Sequence, residues 1–123
     1  MEETTTYPIR VYRFEKNGWG PYSSGDVSVD LYFKLLPRQE HRPGPERDNI
    51  PLAWRYGFYG CHTLELLLYW FDDCVELLFR EGFHIAVYET QTYYLTPSQV
   101  VFFDKKEMNS IWSIEELMKL MGE

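Results

Sequence analysis

The sequence predicts an α+β domain: a small, mostly antiparallel sheet of four to five strands with about three helices packed on it. Three observations lead there. Segments towards both ends of the chain alternate apolar and polar residues with the period of a strand. Between them, apolar residues recur at i, i+3, i+4 and i+7, the spacing of an amphipathic helix. A chain of 123 residues, 45% hydrophobic and 18% aromatic, is long enough for one core. A single globular domain over 1–123 follows, and disorder across the whole chain is set aside.

Residues 1–7 read as a frayed lead-in. Ile9 to Glu15 (IRVYRFE) alternates as a strand, with Ile9, Val11 and Arg13 on one face and Arg10, Tyr12 and Phe14 on the other. The breakers in NGWGPYSSG (17–25) make a loop, whose Trp19 and Tyr22 serve as lids over the core edge or as contact residues. Val27 to Leu35 alternates strictly and is expected as a half-buried strand, although LYFKLL also suits the start of a short helix. PRQEHRPGPERDNIP (37–51) has four prolines and no apolar residue before Ile50, so it is expected as a long mobile loop.

Gly57 and Gly60 frame a turn or short strand. Leu64, Leu67, Leu68 and Phe71 then form the inward stripe of a helix opened by Thr63 or His62. Asp73, with Glu76 three residues on, resembles a capping box for a second helix with Val75, Leu78 and Phe79 inward and Gly82 as its terminating glycine. Phe83, Ile85 and Val87 continue as a strand. Tyr93–Leu95 extends a hairpin, Thr96–Pro97–Ser98 turns, and QVVFF (99–103) reads as a strand buried on both faces. Asp104 to Asn109 is expected as a polar turn. Ser113 caps a last helix with Ile114, Leu117, Met118 and Met121 inward, ended by Gly122.

Several chemistries are unsupported. No apolar run approaches the ~20 residues of a membrane span, and MEETTTYPIR lacks the features of a signal peptide, so the cytoplasm is the expected compartment. Cys61 and Cys74 fit reduced core thiols, and together with His62 and His84 they lack the close ligand pairs of a zinc site, so no metal is expected. There is no nucleophile elbow, no P-loop and no G-x-G-x-x-G.

Charge is the most informative feature. Residues 57–104 carry seven carboxylates (Glu65, Asp72, Asp73, Glu76, Glu81, Glu89, Asp104) against Arg80 alone, while residues 1–56 hold eight acids and eight bases. Nearly all of the net charge of −7 therefore falls on the middle third. Direct nucleic-acid binding is disfavoured, because phosphates call for clustered Lys and Arg. Glu65, Asp72, Asp73, Glu76 and Glu81 lie on or between two helices, away from the Leu and Phe stripes. With Tyr69, and with Trp70, Tyr59 and Phe58 as aromatic anchors, they form a candidate face for a basic partner. The bland alternative is a solvated face that keeps the protein dispersed.

A second constellation is Arg13, on an otherwise apolar strand face where a guanidinium needs a carboxylate or phosphate partner, together with Glu89, Tyr88, Tyr93 and Tyr94. In arrangement this loosely resembles ADP-ribosyltransferases, which would imply NAD as cofactor and Arg13 and Glu89 as catalytic residues. The Ser-Thr-Ser element and Glu-x-Glu pair of that family's arginine-modifying members are missing. The competing reading is an internal ion pair of Arg13; on that reading no cofactor is needed.

The motifs VYRFEKNGWGPY, WRYGF, LLYWF, LFREGFHIAVYE and QVVFFD, spread over about residues 11–104, resemble small proteins of phages and other mobile elements. That resemblance implies a context, since small acidic phage proteins include anti-CRISPR inhibitors that mimic nucleic acid or occlude a basic site. The leading expectation is a non-enzymatic, anti-CRISPR-like inhibitor whose partner is a host protein with a basic nucleic-acid-binding surface, such as a CRISPR effector complex. An NAD-using enzyme and a phage structural or adaptor protein are the alternatives.

Overall fold

A computed structural model describes residues 8–21, 27–35 and 50–122. The lead-in 1–7, Tyr22 and all of the 37–51 loop except Ile50 and Pro51 lie outside the described residues. The described chain is α+β, with four helices and two antiparallel sheets of three strands each. In chain order it runs β1 (Ile9–Glu15), α1 (Val29–Leu35), a 3-10 turn (Leu52–Trp54), β2 (Phe58–Gly60), α2 (Leu64–Trp70), α3 (Val75–Arg80), β3 (His84–Thr90), β4 (Tyr93–Leu95), β5 (Val100–Phe102), β6 (Lys106–Glu107) and α4 (Ile114–Leu120).

The first sheet has the order β1-β3-β6 and the second β2-β5-β4. Directly paired residues of an antiparallel ladder share a face. The β1–β3 register therefore sorts the first sheet cleanly: Tyr12 and Phe14 with Val87 and Ile85 on one side, and Val11, Arg13 and Glu15 with Tyr88, Ala86 and His84 on the other. Phe14 and Ile85 join Leu31, Leu35, Leu67, Trp70, Leu78 and Leu117 in the principal core, so all four helices cover the first side. Val11, Ala86 and Tyr88 pack on Tyr93, Val100 and Phe102 of the second sheet. The outer face of that sheet, at Tyr94 and Val101, is covered by Ile50 with Trp54 and Tyr59 against it. The order is thus helices, sheet, sheet, and the 50–54 segment.

Gly60 makes the corner between the sheets. Tyr12 exchanges backbone hydrogen bonds with Cys61 at 2.7 and 2.9 Å, and a Cβ at Gly60 would lie 2.9 Å from the Tyr12 carbonyl oxygen and collide with Val11. Only glycine allows so close a crossing.

Helix ends follow local chemistry. The Thr63 and Ser113 hydroxyls accept from the amides of Leu66 and Glu116, as N-caps do. At the end of α3, Gly82 (φ +98°) permits the Phe83 amide to reach the Leu78 carbonyl and its own amide to reach Phe79, a Schellman arrangement.

The structure corrects several expectations. Val27–Leu35 is not a strand: Val29–Leu35 is helical, with Leu31 and Leu35 buried one turn apart and Val29 and Phe33 exposed. The helix start is held both locally, where the Ser28 hydroxyl accepts from the Leu31 amide, and by a tertiary contact, where Ser28 donates to Glu81. Asp73 does not cap α3; Cys74 holds the N-cap position, and its side chain makes no capping hydrogen bond. Part of the 104–109 turn forms β6, paired to Tyr88 and Glu89. In α4 only Leu117 is buried, while Met118 and Met121 are exposed, because a helix packed at the rim of the core offers only a narrow contact.

Candidate functional site

Four carboxylates of the middle third, Glu65, Asp72, Asp73 and Glu76, are exposed on the helical layer, whereas Glu89 lies on β3 and Asp104 accepts from the Thr90 hydroxyl. Burying Leu67 and Trp70 in α2 turns Glu65 and Tyr69, one turn apart, to solvent, with Tyr69 58% exposed. Burying Leu78 in α3 does the same for Glu76 and Arg80, and Asp72 and Asp73 in the connecting turn are exposed as well. Glu81 differs. Both its carboxylate oxygens accept from Ser28, one from the amide at 2.9 Å and one from the hydroxyl, so it ties the start of α1 to the end of α3.

The aromatic anchors expected beside these acids are mostly interior. Trp70 is buried and donates its indole N–H to the Ser98 carbonyl at 2.8 Å. Tyr59 is half-buried and donates to the Arg55 carbonyl. Phe58 lies beneath the cations Arg13 and Lys105. Tyr69 alone of the four is on the surface. A groove of about 500 Å³ between α1 and α3 adjoins the acids, lined by Asp30, Phe33, Lys34, Asp73, Glu76, Leu77 and Arg80.

The second constellation resolves into an internal ion cluster between the two sheets. Arg13 is 8% exposed and Glu15 3%. Glu15, two residues further along the same strand face, takes the Arg13 Nε at 3.0 Å, the Lys105 Nζ at 3.0 Å and the Tyr88 hydroxyl at 2.8 Å. The Arg13 Nε and Glu15 Oε2 face each other as charges without a well-aligned hydrogen bond. Lys105 lies 4.3 Å above the Phe58 ring centroid and 5.1 Å from that of Tyr88, where the ring quadrupoles favour its charge. Burial lowers the Arg13 pKa, opposed by Glu15 and Tyr88; burial and then the hydrogen bond to Glu15 raise that of Tyr88.

Arg13 and Glu89 are not brought together. Arg13 pairs with Ala86 on the side facing the second sheet, whereas Glu89 pairs with Arg10 on the opposite side and meets Lys106 at 3.5 Å. The two residues therefore lie on opposite faces of the first sheet. Glu15 was legible in principle, since residues i and i+2 of a strand share a face. Lys105 carried no such signal, because only the β5–β6 connection brings it in.

Cys61 and Cys74 are both buried and not disulfide-bonded; burial pushes the Cys61 thiol up to about 12, which suppresses its nucleophilic form. Among the described residues no group of three or more His, Cys, Asp or Glu is placed to hold a metal ion. No helix among them is long and apolar enough to cross a membrane. His84 stacks on Trp112 with centroids 3.7 Å apart and planes 12° from parallel.

No curated protein and no solved structure is significantly similar to the chain. A family model described as bacteriophage T4 Y00F protein matches residues 1–116. That match runs from the first residue to the first turn of the last helix, and on its strength the chain belongs to this family of small phage proteins.

Proposed function

We propose that this phage protein is a non-enzymatic inhibitor that binds a basic, nucleic-acid-binding surface of a host defence complex. It does so through the acidic side of its helical layer, in the cytoplasm of the infected cell. Anti-CRISPR action, by nucleic-acid mimicry or by steric block, is the concrete form of the proposal. The observation that carries it is the disposition of Glu65, Asp72, Asp73 and Glu76, all exposed on α2, α3 and the turn between them, while the buried charges of the chain are consumed within the fold. Surface carboxylates add little to folding, yet they steer association with a basic partner and fix its register. Tyr69 supplies an amphipathic contact of the kind enriched at interfaces.

The experiment is a plaque assay on a host whose CRISPR system targets the infecting phage. Expression of the protein is expected to restore plaque formation. The D72K/D73K/E76K variant, shown to be folded by circular dichroism, is expected to lose that protection. Protection unchanged in the folded variant would refute the acidic face.

A further inference from the structure

The groove between α1 and α3 carries a feature that the charge pattern did not predict. Phe33 is 62% exposed and Tyr32 51%, on a helix that commits only Leu31 and Leu35 to the core. Large aromatics left in water beside a concavity are characteristic of contact surfaces. Phe33 and Leu77 give the groove an apolar strip, and Asp30, Asp73 and Glu76 stand beside it against Lys34 and Arg80. The lining thus holds three carboxylates against two cations, and Asp72 and Glu65 are exposed on the turn and helix that precede α3.

We infer that this groove is the centre of the binding surface and that its occupant is an arginine-bearing, amphipathic segment of a protein partner. An arginine suits both halves of the lining. Its aliphatic stem lies along Phe33 and Leu77, and its guanidinium stacks on the exposed Phe33 ring beside the Glu76 carboxylate. A neighbouring apolar side chain of the partner fills the remainder. The inference rests on the acidic-face reading and sharpens it: affinity is concentrated at Phe33 and Glu76 rather than spread evenly over the carboxylates.

The test uses a fluorescein-labelled helical peptide presenting Arg and Leu on one face, with a control peptide carrying Gln for Arg. Anisotropy reports affinity, and amide chemical shifts of the isotope-labelled protein report location. The result expected is shift changes centred on Phe33, Leu77 and Glu76, loss of binding by the control peptide, and weakening by about tenfold or more in Phe33→Ala, as for a contact hot spot. Phe33 is exposed, so its variant retains the fold. If Phe33→Ala binds like the parent while Glu65→Lys and Asp72→Lys abolish binding, the groove is overturned and the acidic face stands. If no variant of Phe33, Glu65, Asp72 or Glu76 changes binding, both are overturned.

Discussion

Glu15 is the residue on which the two sheets agree. It accepts from Tyr88 while facing Arg13 and Lys105, all between layers that are otherwise apolar. Removing one partner of a buried charge set leaves the rest uncompensated, a loss of about 3–5 kcal/mol. Glu15→Ala is therefore expected to lower stability by that order in urea unfolding, and a second substitution, Arg13→Met, to recover part of it. His84 contributes in a different way. Burial lowers its pKa below the ordinary 6.5, with Glu15 and Glu107 opposing, so the folded state prefers the neutral ring. The unfolded chain then binds the proton more readily, and the contribution of His84 is present above pH 6.5 and lost as pH falls through its lower folded value. Urea midpoints measured from pH 7 down to pH 5 are expected to fall more steeply for the parent than for His84→Gln; equal slopes would count against it. At the same scale, the buried Cys61 and Cys74 are expected to resist a thiol reagent until urea unfolds the chain.

At the scale of elements, the caps are separable from the core. Thr63→Ala and Ser113→Ala each remove a hydroxyl acceptor from a helix start and are expected to cost about 1 kcal/mol. Gly60→Ala acts on the corner between sheets and is expected to cost more, about 1–3 kcal/mol from overpacking alone; unfolding in urea ranks the three. Elements whose signal is local were legible in the sequence. The β1 alternation, the Thr63 and Ser113 caps, the Gly82 stop and the buried VVF strand all appear where periodicity and capping chemistry place them. Elements decided by distant contacts were not. The strict alternation of Val27 to Leu35 favours a strand, yet the segment is a helix whose capping Ser28 also bonds Glu81, 53 residues away. The acidic site followed the same division. Exposure of Glu65 and Glu76 follows from helical spacing and that of Asp72 and Asp73 from their place in the connecting turn, whereas the second role of Glu81, the burial of Trp70 and the exposure of Phe33 depend on how α1 and the β4–β5 turn dock.

At the scale of the molecule, charge and packing are partitioned by layer. The interface between the sheets consumes Arg13, Glu15 and Lys105 in one internal cluster. The outer side of the helical layer holds exposed carboxylates, Glu65 and Glu76 among them. A protein with this partition gains an acidic surface at little cost to stability, because substitutions on an exposed helix face usually change stability by no more than about 0.5 kcal/mol. The reversed variant D72K/D73K/E76K is accordingly expected to unfold near the parent urea midpoint, so that any loss of action belongs to recognition. The central claim is that this surface competes with nucleic acid for a basic site. The most direct measurement is an electrophoretic mobility shift of a purified, guide-loaded CRISPR effector complex on its target DNA, titrated with the protein. The account predicts that the parent displaces DNA and the folded triple reversal does not; DNA binding undisturbed by the parent, or displaced equally by both, would contradict it.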